Sequence, residues 1–395
     1  MKFFNYISRF FSTMAIAFAA EWRIVLKDAG VLIFFIALPI AYPIVYTLVY
    51  NPEVLEKMPV VVVDNSRTAE SRDLVRKIGA TPAIEIYDYV PSLQEAKHLV
   101  DANEVFGILE ISSDYAKEIG RGETGHVTFY CDMALMLRFR TFAFSLTEVQ
   151  IAEIGSITAD RISMLGAESL YTGMPVNSES YMLGDPQQGF ASFVMPGIVV
   201  LILQQSMVLG AVMIMGTARQ RRRRNHGFDP LMPVNSPAYA IVWGKALCYT
   251  IFYITPALFA LHFIPSIFNL PHVGSAVQYL LFALPFLLAS AFFGITLGAV
   301  ARDRESAFML IVITSVVFLF LSGLTWPRYA MPDAWQIVGD FIPATWAVEG
   351  FIQINSNNAV LSDVITNYYW LWGLAAAYSI LGSLSEKWLR VSHGV

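Results

Sequence analysis

Six stretches of this chain are apolar for long enough to cross a bilayer: 30–50, 190–216, 238–262, 277–300, 306–324 and 366–384. A hydrocarbon core of about 30 Å needs roughly 20 apolar residues at about 1.5 Å each. Only Lys245 interrupts the six, one or two turns inside the third, where its stem is expected to snorkel to the interface. Ahead of the first stretch, Phe3, Phe4, Ile7, Phe10, Phe11, Met14 and Phe18 recur at i, i+3, i+4 and i+7, one face of a helix. Glu21, Arg23, Lys27 and Asp28 follow. Residues 1–28 are therefore expected to form an amphipathic helix lying at the membrane interface. The same start, with Lys2, an apolar run and small residues near Ala19, also fits a signal peptide.

The pattern changes between the first two spans. MPVVVVD (58–64), AIEIYDY (83–89), VFGILEI (105–111) and HVTFYCD (126–132) read as strands. Between them lie three helical stretches: 65–79, with Ser66 as cap and Gly79 as stop; 92–103, with Ser92 and Glu95 as a capping box; and 113–122. Strands alternating with helices imply an α/β sheet, and residues 51–188 are read as one such domain. From about 134 to 170 the pattern is helical and mixed. Residues 325–365 hold Trp326, Tyr329, Trp335 and Trp346, aromatics suited to headgroup depth. Pro332, Pro343 and Gly350 should break that segment into short interfacial helices or a re-entrant turn, tolerable only against protein or water.

Composition fits this outline. The chain is 56% hydrophobic and 14% charged, with mean hydropathy +0.53, whereas soluble domains carry about 25% charged residues. Residues 51–188 hold 11 Lys and Arg against 21 Asp and Glu, a net −10, and the remainder carries +5. The basic residues sit at alternate span ends: Lys2, Arg9, Arg23 and Lys27; Arg219 and Arg221 to Arg224; Arg302 and Arg304; Lys387 and Arg390. The opposite short loops contain one, Arg328. Six spans then place both termini in the cytoplasm and 51–188 outside. The two cysteines, Cys131 and Cys248, fall in different compartments and are not expected to pair.

The arginine-rich run 219–224 lacks interleaved aromatics and a basic domain, which argues against nucleic acid. It is expected to anchor to anionic lipid at roughly 1 kcal/mol per residue near the surface. No G-x-x-x-x-G-K-[ST] occurs; the lone Gly244-Lys245 pair has no glycine-rich approach, so no P-loop holds ATP here. The six histidines form no H-E-x-x-H, and no metal site is expected. The span interiors offer amides and hydroxyls, notably Gln204, Gln205, Thr314 and Ser315, rather than the ionisable groups of coupled carriers. These four are the candidate translocation-path residues. A membrane protein with no visible energy source needs a partner.

Three stretches resemble the permease subunit of the ABC type-2 exporter family. EWRIVLKDAGVLIFFIALPI (21–40) is similar to its connecting helix and first span, and DPQQGFASFVMPGIV (185–199) to the entry of its second. LSGLTWPRYAMPDAWQIVGDFIPATWAVEGF (321–351) carries the most, with Ser322, Gly323, Pro327, Met331, Pro332, Pro343 and Thr345 where the family has its outer re-entrant helices. The resemblance implies a half-transporter: a second permease copy or paralogue, and a cytoplasmic ATPase subunit that holds ATP and Mg, with no cofactor in this chain. It implies ATPase coupling through Glu21, Arg23, Arg224, Gly227, Phe228, Leu231 and Pro233. Arginines replace the acidic residues that usually precede the glycine. It also suggests that the outer domain meets a periplasmic adaptor or caps the exit.

The expected fold is an α-helical polytopic membrane protein of the bacterial inner membrane, six helices with an inserted α/β extracytoplasmic domain. Its divisions are an interfacial helix 1–28, span one at 29–50, the domain 51–188, span two at 189–217, a coupling loop 218–237, spans three to five within 238–324, outer helices 325–365, span six at 366–385 and a cytoplasmic tail 386–395. The expected function is export of an amphipathic or lipid-like substrate. The alternatives are a secondary carrier or channel, and a membrane-anchored sensor or scaffold.

Overall fold

The computed structural model describes residues 2–50, 55–132, 136–164, 190–226, 229–232, 236–270 and 272–391. In chain order the helices are α1 (Lys2–Lys27), α2 (Ala29–Tyr50), α3 (Ala69–Gly79), α4 (Leu93–Asp101), α5 (Tyr115–Arg121), α6 (Met136–Met164) and α7 (Phe190–Arg224). They continue as α8 (Ala238–Ile267), α9 (Ala276–Gly298), α10 (Ser306–Leu321), α11 (Asp333–Asp340), α12 (Pro343–Ser356) and α13 (Ile365–Val391). The strands are β1 (Met58–Asp64), β2 (Ile84–Tyr89), β3 (Gly107–Ile111) and β4 (Val127–Cys131). The chain divides into two units, Met1–Asn51 with Met182–Val395, and Pro52–Tyr181.

The first unit is helical. α2, α7, α8 and α9 are long and apolar enough to cross a membrane. α10 is equally apolar but has 16 residues. α13 has 27 residues, yet Asn367, Tyr368, Tyr369, Trp370 and Trp372 dilute its first turns. The most apolar window of α7 is 83% buried and that of α9 72%, against 28% for α2. α7 and α9 are thus the centre and α2 the periphery. The two central helices approach closely because glycine lines α9 where they cross. A Cβ on Gly298 would stand 2.8 Å from Met215 Cβ, and one on Gly294 would stand 3.0 Å from Ala211 Cβ. α10 lies at the other extreme, with Met309 71%, Val312 70% and Ile313 65% exposed. So apolar a face is stable only against lipid or another chain.

α2 and α8 each contain a π turn, Ile33–Ala37 and Phe259–Phe263. Such turns shift the backbone bonding pattern. The Tyr253 hydroxyl lies 3.0 Å from the Phe34 carbonyl in the first π turn and 3.0 Å from Ser206 Oγ on α7.

The second unit is a four-stranded sheet in the order β2-β1-β3-β4. β1 pairs parallel with β2 and β3, and β4 runs antiparallel to β3. β1 is the buried central strand, with Val60, Val61 and Val62 each 0% exposed, as a β-branched run allows when both faces are covered. Val60, Val62, Leu74, Ile78, Leu109 and Phe142 pack on one face, and Val61, Val63, Ala96 and Ile108 on the other. The cap of α3 is Thr68 rather than Ser66. Thr68 Oγ1 accepts from Ser71 N at 3.2 Å, while Ser71 Oγ donates to Asp64 Oδ2 at 2.7 Å, fixing the helix start to the end of β1.

Candidate functional site

The helix expected to end near 217 continues through Arg224, so the arginine run is helical rather than part of a loop. Its residues have separate partners. Arg219 Nη1 donates to Ala299 O at 3.2 Å and Ala301 O at 2.9 Å, carbonyls just past the end of α9 where a cation is favoured. Arg221 makes a two-pronged pair with Asp229, both bonds 3.1 Å. Arg222 pairs with Glu386 of α13, side chains 7% and 1% exposed. Glu386 also accepts from Arg390 Nε at 3.2 Å, and Arg390 Nη1 donates to Ser236 O at 2.8 Å. The expectation that every arginine of the run holds lipid is therefore corrected. Three bind the chain itself, and Arg223 and Arg224 are exposed.

Lys245 is also corrected. It does not snorkel but is 1% exposed. Its Nζ lies 3.3 Å from Glu21 Oε1 and 3.5 Å from Met215 Sδ. Glu21, itself 0% exposed, accepts a 2.5 Å bond from the Tyr249 hydroxyl, and its Oε2 has no hydrogen-bond partner. Lys245 and Tyr249 are four apart, so one face of α8 presents both. At an effective dielectric of 20 the pair's gross attraction is about 5 kcal/mol. Removing both charges from water offsets most of it. The pair thus fixes position more than it adds stability, and it locks α1 to α8. Gly244 permits the contact: a Cβ there would stand 2.6 Å from Met14 O. Ring stacking flanks it, Phe10 on Tyr239 at 5.4 Å and Trp22 on Phe252 at 4.1 Å. The amphipathic stripe of α1 is thereby shared, with Ala17, Glu21 and Val25 buried on protein and Phe11, Ile16 and Leu26 exposed.

Asp28 ties the α1–α2 corner to the segment before α10. It caps Gly30 N at 3.0 Å and Val31 N at 3.2 Å, and takes Arg304 at 2.5 and 2.7 Å. Burial would raise its pKa, but the Arg304 hydrogen bond and charge and the two backbone donors hold it below the usual 3.8. Burial likewise opposes, and the Arg221 bond and charge with the Leu231 N–H outweigh, so that Asp229 is lowered too. A depressed folded-state pKa gives stability that is complete above the unfolded value and is lost as pH falls through the folded one. Amide exchange at Gly30, Val31 and Leu231 is therefore expected to stay protected from pH 7 to about 4, and to open at lower pH. Opening already at pH 6 would contradict these pairs.

Of the residues proposed for coupling, Glu21 is in this junction, Arg23 and Arg224 are exposed beside it, and Leu231 is 47% exposed. Gly227, Phe228 and Pro233 lie outside the described residues. Near the middle of α7, Gln204 is 0% exposed and its Oε1 accepts from Ala344 N at 2.6 Å. That bond holds the first turn of α12, where Pro343 sits at the start and needs no donor. Thr345 Oγ1 donates to Leu321 O at 3.4 Å. Ser322 Oγ accepts from Leu324 N at 3.3 Å, and Gly323 has φ +85°, which turns the chain out of α10. Pro327 and Pro332 flank a single 3-10 turn, Arg328–Ala330. Arg328 pairs with Asp340 and stacks 4.8 Å over Trp346. Gln205 buries both amide atoms without partners. Thr314 and Ser315 are half-buried on α10 and bond back to Leu310 O and Val312 O.

The structure brings Gln204 to Ala344 of the 321–351 motif and Glu21 to the arginine end, while Thr314 bonds back within α10. Lys245, Tyr249, Arg222, Asp229 and Glu386 are the participants that sequence reasoning missed. The lone charge in an apolar span was the available signal for Lys245. No group of three or more metal-ligating side chains occurs among the described residues.

Residues 29–384 match the family model described as ABC-2 family transporter protein. The chain is 22% identical, over 69% of its length, to ABC transporter G family member 20 of Dictyostelium discoideum, and spans 36% of that protein. It is 20% identical to the linearmycin resistance permease protein LnrN of Bacillus subtilis, over 78% of this chain and 83% of that one. It is 20% identical to the probable multidrug ABC transporter permease YbhR of Escherichia coli, over 84% and 86%.

Proposed function

The chain belongs to the ABC-2 transporter family, and from that premise we propose that it is the membrane subunit of an ATP-driven exporter. Six helices span the membrane: α2, α7, α8, α9, α10 and α13. The termini are cytoplasmic, the α/β unit is extracytoplasmic, and the membrane is a bacterial inner membrane. A separate ATPase docks at the arginine end, and a second permease copy or paralogue covers α10. A periplasmic adaptor on the outer unit is compatible with its acidity. The substrate is amphipathic or lipid-like, and its path runs past Gln205, Thr314 and Ser315.

The observation that carries this reading is the polar junction. Four ion pairs gather there: Arg221–Asp229, Arg222–Glu386 between α7 and α13, Glu21–Lys245 between α1 and α8, and Asp28–Arg304 between the α1–α2 corner and the segment before α10. A push on the exposed residues there, Arg23, Arg224 and Leu231, would reach α1, α7, α8 and α13 through these pairs. Leu231→Glu leaves those pairs intact because Leu231 is 47% exposed. It is expected to lower transport-coupled ATP hydrolysis on the order of tenfold, the scale of about 1.4 kcal/mol of lost docking, with no change in melting temperature. The prior experiment is a mild-detergent pull-down from the native membrane with mass spectrometry and an ATPase assay. Recovery of an ATPase supports the reading, and a chain that elutes alone even after cross-linking rejects it.

One observation favours a second reading. The buried Glu21–Lys245 pair is the type of intramembrane charge that coupled carriers use. A carrier predicts gradient-driven flux in vesicles that contain no ATPase.

A further inference from the structure

The α/β unit contains a cavity of about 520 Å³ bounded by α3, α5, β4 and α6. Small-molecule sites typically enclose about 300–1,000 Å³. Ile78, Tyr115, Phe129 and Val149 give it apolar walls on one part of the lining, and Thr124 and Gln150 add neutral polar groups. Glu123, Glu153 and His126 are its ionisable lining residues, and among the described residues no lysine or arginine lines the space. Lys77, beside it, is already divided between two carboxylates: its Nζ lies 2.5 Å from Glu153 Oε2 and 2.9 Å from Asp73 Oδ2. Asp73 is shared with Arg76 as well, so three carboxylates, Asp73, Glu123 and Glu153, stand against two cations, Lys77 and Arg76, around the space. Burial, then the Glu153 charge, push the Tyr115 phenol up to about 12, and the opposing effect of Lys77 does not restore it.

We propose that this cavity binds lipophilic cations, molecules with an apolar, preferably aromatic, body and a single positive charge. The apolar walls take the body out of water. The carboxylates, and the electron-rich rings of Tyr115 and Phe129, favour the charge. An anion of the same shape meets the same walls and the opposite field. The assignment concerns binding alone and holds whether or not the chain exports what it binds.

The test uses the full chain in lipid nanodiscs and a photoactivatable azidophenyl-triphenylphosphonium probe, with labelled peptides mapped by mass spectrometry. Labelling is expected within 115–129 and 146–154. Tetraphenylphosphonium should abolish it, and the isosteric anion tetraphenylborate should compete on the order of tenfold less well, about 1.4 kcal/mol. Glu123→Lys should lower labelling by a similar factor by reversing one charge. Gln150→Trp should lower it by filling the space without a change of charge, and both positions are exposed, so the fold survives. Labelling confined to the membrane-embedded helices, equal competition by the borate, or labelling unchanged in both variants would each overturn the proposal.

Discussion

Lys245→Met is expected to destabilise the membrane unit by about 3–5 kcal/mol, the cost of breaking a buried ion pair by removing one partner. Glu21 would remain 0% exposed with the Tyr249 hydroxyl as its single donor, and one of its oxygens already lacks a partner. A carboxylate so placed draws water into the seam between α1 and α8. The measurement is the thermal midpoint in detergent, followed by the fluorescence of Trp22, which stacks on Phe252 across that seam. The double variant Glu21→Leu/Lys245→Met removes both charges and keeps apolar volume, and is expected to recover most of the loss. The two variants separate stability from coupling. If the double variant folds normally but hydrolysis no longer drives transport, the pair positions α1 for the stroke. If it also transports normally, the pair serves the fold alone.

The second large effect is expected from Gly244→Leu. The leucine Cβ would meet Met14 O at 2.6 Å, Ala17 Cβ at 2.9 Å and Phe18 N at 3.0 Å. Two of these three atoms are backbone and cannot rotate aside. Overpacking typically costs about 1–3 kcal/mol where side chains can adjust, and a backbone clash lies at or above that range. The helix pair must then part, which also opens the Glu21–Lys245 contact. Limited proteolysis should cut α1 at Arg23 and Lys27 at least tenfold faster than in the parent chain, a shift on the order of 1.4 kcal/mol in the opening equilibrium. Gly244→Ala carries the same Cβ without the rest of the side chain and should give a smaller change in the same direction. Unchanged cleavage in both would show that α1 does not rest on α8 at this point.

Much of the architecture was legible because it is local. Valine runs and alternation located β1 to β4, and unbroken apolarity located α2, α7, α8 and α9. Even the misplaced cap of α3 was wrong by two residues, between two hydroxyls that both occur at the helix start. The polar junction was illegible for the opposite reason. Tyr249 and Glu21 are 228 positions apart, Arg222 and Glu386 164, and Gln204 and Ala344 140. Hydropathy shows that Lys245 is out of place, but a partner that distant is chosen by packing. The arginine run misled in a related way. Its charge density suggests a surface, yet helical periodicity turns Arg219 and Arg222 inward toward carbonyls and a carboxylate, and leaves Arg223 and Arg224 outside. The glutamines divided as well. Gln204 found a backbone donor, whereas Gln205, one position on, points elsewhere and found none.

The glycine seam between α7 and α9 sets the kind of movement this molecule can make. Two helices that meet this closely at Gly294 and Gly298 leave little side-chain thickness between them to shear, so they are expected to travel together as one beam. Gln204 fastens α12 to the same beam, and Arg219 fastens the carbonyls beyond α9. On the proposed docking of an ATPase at the arginine end, a stroke there is expected to move α7, α9 and α12 together. The far end of α7 would then move by leverage, over a distance set by the 35-residue length of that helix.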